Sequence, residues 1–61
     1  MDATKYTARA WYSLAMAAGA DAANRRMRRE GRSQWDAGDF VEAADTTAVM
    51  LARHPAYKLA A

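Results

Sequence analysis

The chain has 61 residues, no cysteine and a net charge of +2, and alanine supplies 17 of its residues. This length allows one domain at most, residues 1–61, and the lack of cysteine excludes disulfides and thiolate metal sites. No apolar run approaches the roughly 20 residues that a membrane-spanning helix needs, and the N-terminus lacks the basic-then-apolar order of a secretory signal. We therefore expect a cytoplasmic protein with no membrane partner.

The composition favours helices over strands. Alanine is the strongest helix former, and the β-branched aliphatics that favour strands are limited to Val41 and Val49. Large apolar side chains are few, so the helices should pack closely over alanine. A lone core of this size rarely supplies more than roughly 3–5 kcal/mol. We therefore expect an all-α protein that associates with itself or docks onto a partner.

The first helix is predicted from about Thr4 to Ala18. Asp2 or Thr4 offers an N-cap oxygen, and Gly19 suits the helix C-terminus. Apolar side chains recur at three- and four-residue steps, which predicts one buried face. That face is formed by Ala8, Trp11, Tyr12, Ala15 and Ala18. Trp11 lies on the longest alanine-flanked stripe and is predicted to be buried.

A second helix is predicted to start near Ala20 or Asp21 and to end at Ala37-Gly38. Its apolar positions are Ala23, Met27 and Trp35. Gly31 lies where another apolar side chain is expected. It indicates either close approach by a neighbouring backbone or a break in the helix, and the sequence leaves both interpretations open.

A third helix is predicted from Asp39 onward, with Asp39 as N-cap and Glu42 completing a near capping box. Its apolar stripe comprises Phe40, Ala43, Ala44, Thr47, Met50 and Leu51. His54-Pro55 should stop the helix, because the residue before proline avoids the α region. Pro55 can then open a short C-terminal turn that reaches Leu59. The sequence thus predicts three short antiparallel helices, a helical hairpin plus one, joined by short connections.

Part of this pattern resembles a tetratricopeptide repeat. In that family a Gly-Asp-aromatic turn opens the second helix, a small residue follows three positions after the aromatic, and a proline closes the repeat. Residues at matching spacings are Gly31, Gly38, Asp39, Phe40, Ala43 and Pro55. Residues 10–27 are similar to the related Sel1-like repeat, with the aromatic pair Trp11-Tyr12, paired alanines and a glycine turn at Gly19.

The resemblance covers most of residues 10–55, or about one and a half units. It implies an antiparallel helix stack used for protein–protein contact, with no catalytic residues. An alanine-rich helical hairpin with a Gly-Asp turn would give the same pattern, so that alternative stays open.

Five of the nine basic residues lie in one run: Arg25, Arg26, Arg28, Arg29 and Arg32. One interpretation is an electrostatic footprint for nucleic-acid phosphates. Others are contact with an acidic protein, or with the Asp36–Asp45 segment of a second copy. A solvated helix face, with Glu30 pairing to Arg26 across one turn, explains the run equally well.

Tryptophan and tyrosine dominate binding hot spots, so exposed ones are candidate contact residues. The predicted partner-binding residues are Tyr12, Arg25, Arg28, Arg29, Arg32 and Trp35. No nucleophile–base set can be assembled, and the single histidine, His54, is expected in the last turn of helix three, where its protonated form favours the helix dipole. We therefore expect no enzyme activity, no metal, no cofactor and no small-molecule substrate.

The leading hypothesis is a small protein–protein interaction module or accessory subunit that binds another protein or itself. The alternative is a nucleic-acid-binding regulator that uses the same arginines, and a weaker one is a phage-type modifier of a host complex. The ending Leu59-Ala60-Ala61 resembles the bacterial tag for an unfolding protease, although chance is the stronger explanation in so alanine-rich a chain.

Overall fold

The computed structural model describes residues 1–58, which form two α-helices and two short 3₁₀ turns. Helix α1 spans Ala8–Arg29 and helix α2 spans Ala37–Leu51. The turns comprise Ala3–Lys5 and Pro55–Tyr57. The all-α class and a turn at Pro55 are confirmed, but the prediction of three helices is wrong. Residues 59–61, which carry the tag-like ending and the predicted end of the last turn, lie outside the described residues.

Gly19, predicted to end the first helix, lies in the middle of α1 and faces α2. A Cβ atom at this position would lie 2.6 Å from the carbonyl oxygen of Ala43 and would overlap Oγ1 of Thr47. The glycine therefore allows two helix backbones to approach closely, and no turn is needed there. The first predicted helix and most of the second therefore form one continuous helix, α1.

The N-terminus of α1 is set by Thr7, whose Oγ1 accepts a hydrogen bond from the N–H of Ala10 at 3.1 Å. The helix begins at Ala8 and not near Thr4. Asp2 instead caps the preceding 3₁₀ turn, where its carboxylate accepts from the N–H of Thr4 at 2.9 Å. Both are N-caps, but they begin separate elements.

The C-terminus of α1 is set by Gly31, which has a φ of +70°. The N–H of Gly31 donates to the carbonyl of Arg28 at 3.0 Å, and the N–H of Arg32 donates to the carbonyl of Met27 at 3.1 Å. This bond pair around a left-handed glycine is a Schellman motif. Of the two interpretations of Gly31, the helix break is therefore correct, and Trp35 lies in the connection between the helices.

The N-cap of helix α2 lies three residues before the predicted one. Asp36 is the N-cap, and its carboxylate accepts from the N–H of Asp39 at 3.0 Å. The Asp39 carboxylate accepts from the N–H of Asp36 at 2.9 Å, which completes a capping box. The predicted pair of Asp39 with Glu42 is wrong, because Asp36 supplies the first oxygen and Asp39 is the third helical residue.

The two helices run antiparallel over a thin core. The residues buried in α1 are Trp11, Ala15, Gly19, Ala22 and Ala23. Trp11 has no exposed surface, which confirms its predicted burial. The body measures 37 × 24 × 15 Å, and a helix with its side chains is about 10–12 Å across. The hairpin is therefore a single layer of helices, with solvent on both of its broad flanks.

Three polar contacts close the end of the hairpin where the termini meet. Nε1 of Trp11 donates to the carbonyl of Met50 at 2.7 Å, and the Tyr57 hydroxyl donates to the carbonyl of Ala8 at 2.7 Å. The His54 ring lies 2.9 Å from the Tyr6 carbonyl through Nε2, while its Nδ1 accepts from the N–H of Ala56. His54 lies beyond α2 and bridges the termini, so its expected role in the last helical turn is wrong.

We predict that Gly19→Ala lowers the free energy of unfolding by about 1–3 kcal/mol, because the new methyl group meets a helix backbone that cannot move aside locally. Ala17→Ser, at an exposed position of the same helix, is the control and should change stability by less than about 0.5 kcal/mol. Urea unfolding followed by circular dichroism measures both. A Gly19→Ala variant as stable as wild type would show that the helices do not pack this closely.

Candidate functional site

The connection between the helices is held by a buried carboxylate. Asp39 has no exposed surface and accepts hydrogen bonds from the guanidinium groups of Arg26 and Arg32, including one from Nη1 of Arg26 at 2.9 Å. Asp36 accepts a hydrogen bond from Nη1 of Arg26 at 3.2 Å and forms an ion pair with Arg32 at 3.3 Å. Arg26 also pairs with Glu30 at 3.5 Å, which confirms the pairing expected from their spacing. Two arginines thus face three carboxylates in this network.

These contacts fix the protonation of the buried group. Hydrogen bonds from Arg32 hold the pKa of the Asp39 carboxyl well below its usual range, with further help from the Asp36 N–H and Arg26, while burial acts in the opposite direction. The hydrogen bond to Asp39 also raises the pKa of both arginines. Asp39 is therefore a charged structural anchor at neutral pH and is poorly suited to proton transfer.

The predicted arginine contact residues divide into two groups. Arg32 is committed to the network around Asp39, and its side chain is only 26% exposed. The other three, together with residues from both helices, line an open groove of about 590 Å³, here called the basic groove. Its lining comprises Ala22, Arg25, Arg28, Arg29 and Glu42. The spacing indicated a run of five cations, but the fold presents three of them together.

A second groove, here called the apolar groove, lies along the hairpin and has a volume of about 490 Å³. It is lined by Met16, Ala20, Trp35, Phe40, Ala43, Ala44, Thr47, Ala48 and Leu51. None of these side chains is charged. Phe40 is 61% exposed and Met16 is 49% exposed, so two large apolar side chains stand in solvent at this surface.

Trp35 and Phe40 form one wall of the apolar groove. Nε1 of Trp35 donates to Oδ1 of Asn24 at 2.8 Å, which holds the indole against α1. The Phe40 ring meets the indole edge-on, with centroids 5.0 Å apart. This geometry is favourable for aromatic pairs and presents a fixed apolar surface.

The two grooves lie on opposite flanks of the hairpin. Arg25 follows Met16 by nine residues, which is about two and a half helical turns, so their side chains leave α1 in opposite directions. Tyr12 lies elsewhere, towards the hairpin end that holds the termini, where its ring is 6.2 Å from that of Tyr57. The six predicted contact residues therefore do not form one surface.

Met16 and Phe40 were not predicted as contact residues from the sequence. Phe40 was placed on the stripe that faces the core, but the residue buried against α1 is its neighbour Asp39. The burial of Asp39 was indicated in the sequence by the two nearby arginines, Arg26 and Arg32, which need a carboxylate partner. No group of three acidic or histidine side chains within residues 1–58 is arranged to hold a metal ion.

The chain matches no protein-family model, no curated protein and no solved structure at a significant level of similarity. The resemblance to Sel1-like and tetratricopeptide repeats therefore remains a prediction. Neither α1 nor α2 has the length and hydropathy that would let it cross a lipid bilayer.

We predict that Asp39→Asn lowers the melting temperature at pH 7 by about 10 °C or more, since it leaves two arginines without their buried counter-charge. The exposed Asp45→Asn is the control and should have little effect. Because folding lowers the pKa of Asp39, its stabilising contribution is full above the ordinary aspartate value of 3.8 and is lost as the pH falls further. The difference in melting temperature between wild type and Asp39→Asn should therefore become smaller below pH 3.8. Equal melting temperatures at pH 7, or a difference that does not change with pH, would contradict the role of Asp39 as a buried counter-charge.

Proposed function

We propose that this chain is a non-catalytic protein-interaction module of the cytoplasm whose apolar groove binds an amphipathic helix of a protein partner. The observation that carries the proposal is the exposure of Phe40 and Met16 in an uncharged groove whose lining includes four alanines. The small lining residues let a third helix approach closely, and the large apolar ones supply the contact area.

The groove has the proportions that this binding mode needs. Phe40 and Leu51 mark its length along α2, eleven residues or about 16 Å apart. Three helical turns of a partner therefore fit along it, with anchors at three- and four-residue spacing. The fixed Trp35–Phe40 wall lowers the entropy lost on binding, because these rings are already positioned.

A non-catalytic role is supported by the state of the polar groups. Asp39 is saturated by two arginines and a backbone N–H. His54 uses both ring nitrogens to tie the two ends of the chain together. Neither group is poised to activate a nucleophile or move a proton.

We predict that Phe40→Asp weakens binding of groove-directed helices at least tenfold, since it places a charge in the apolar wall. A displayed library of amphipathic helices, selected on the wild-type chain, provides the probes, and titration of the selected helices measures the loss. Arg28→Ala, on the opposite flank, is the control and should keep the affinity. The proposal would be contradicted if the selected helices bound Phe40→Asp as tightly as Arg28→Ala. A selection that yields no binding helix would contradict it as well.

The second candidate function is nucleic-acid binding through the basic groove. It is favoured by the exposure of Arg25, Arg28 and Arg29 around one groove on the last turns of α1. Arg26 and Arg32 do not contribute to this groove, because both are held by Asp39. At most three cations are therefore available to one stretch of phosphates.

If the basic groove binds duplex DNA, the logarithm of the binding constant should fall with the logarithm of the salt concentration. We predict a slope no steeper than about −2.7, which corresponds to three released counterions. Titrations at several salt concentrations measure the slope, and an Arg28→Ala, Arg29→Ala double variant should remove most of it. Phe40→Asp is the matched control and should leave it unchanged. Absence of salt-dependent binding would rule this candidate out.

A further inference from the structure

We propose that the occupant of the apolar groove is a second copy of this chain, with the two α2 helices packed antiparallel about a twofold axis. This inference rests on the proposed function of the groove as a protein-binding site. It adds the identity of the partner, the symmetry of the pair and the register of the contact.

The single chain is thinner and more extended than a compact domain, which suggests that a second layer of helices packs against it. The radius of gyration is 12.9 Å, whereas a compact domain of this length is expected near 10.5 Å. The hairpin is only 15 Å thick, and domains ordinarily bury an apolar face between two layers. Stacking two hairpins through their apolar grooves gives a four-helix arrangement in which Phe40 and Met16 leave solvent.

The residue pattern along α2 is self-complementary. The large residues Phe40 and Leu51 mark the two ends of the groove, and small residues lie between them. In an antiparallel pair centred midway, Phe40 lies beside the partner's Leu51, and Ala44 lies beside the partner's Thr47. Small side chains then meet at the crossing point, where the backbones are closest, and large ones meet at the edges.

The distribution of charge favours pairing through the apolar groove over pairing through the basic groove. The apolar groove has no charged lining residue, so two copies meet there without like charges facing each other. Glu42 lines the basic groove, and Asp45 lies beside Val49 and Arg53 in a separate depression. Pairing through the basic groove would bring Arg25, Arg28 and Arg29 of both copies together, which is unfavourable.

Single cysteines test the register, because the natural chain contains none. In the proposed pair the two copies of residue 44 are three residues apart along the axis, or about 4.5 Å, while the two copies of residue 40 are about 16.5 Å apart. Ala44→Cys should therefore form an intermolecular disulfide under mild oxidation, and Phe40→Cys should not. Val49→Cys, exposed on the other flank, is the matched control and should also stay unlinked.

Sedimentation equilibrium of the wild-type chain should give twice the chain mass of 6.7 kDa at millimolar concentration, and Ala44→Glu should return it to a monomer. An unchanged helical circular dichroism signal of Ala44→Glu shows that its loss of pairing is not unfolding. Mixing Phe40→Glu with Leu51→Lys, which places opposite charges beside each other at the edge of the pair, should restore the pair that either variant alone loses. Rapid cross-linking of Phe40→Cys or Val49→Cys would overturn the antiparallel register. A wild-type chain that stays monomeric but binds selected helices through Phe40 would overturn self-pairing alone and leave the proposed function standing.

Discussion

The structure depends on the contact between the backbone of α1 at Gly19 and the carbonyl group of Ala43 on α2. Because this contact leaves no room even for a Cβ atom, no large side chain can lie between the helices at that point. The interior is accordingly lined by alanine, with Trp11 as the largest buried apolar residue. Several large apolar side chains, Met16, Phe40, Val41 and Val49 among them, are instead exposed. The apolar groove, with Phe40 and Met16 exposed, is a consequence of how closely the helices pack.

The second determinant is Asp39, which sets the rotation of α2 about its own axis. By facing Arg26 and Arg32 and closing the capping box with Asp36, it takes the buried position that Phe40 would otherwise occupy. The same bonds hold two arginines against Asp39, and among residues 1–58 three cations line the basic groove. One buried carboxylate therefore gives the two flanks their different chemistry, uncharged on one side and basic on the other.

The sequence predicts the helical class, the burial of Trp11 and the turn at Pro55, because alanine content, apolar spacing and proline geometry act locally. It does not predict the role of Gly19, since a glycine at a helix end and a glycine at a helix crossing look alike without the neighbouring helix. The N-cap at Asp36 competes with Asp39 for the same role, and only the distant arginines decide between them. The apolar groove could not be predicted from the sequence for a similar reason. Phe40 and Asp39 lie at neighbouring positions of α2, and hydrophobicity alone favours burying the phenylalanine.

Close helix packing leaves an apolar flank that a second copy of this chain covers, and the Met16 methyl group reports on this pairing directly. Its NMR relaxation by a soluble paramagnetic agent can be followed from micromolar to millimolar protein concentration, with the indole of Trp11 as an internal buried reference. We expect strong relaxation of the Met16 methyl in dilute solution and protection approaching that of Trp11 as the concentration rises. A methyl group that is protected at every dilution, or that stays exposed at every concentration, would contradict this pairing.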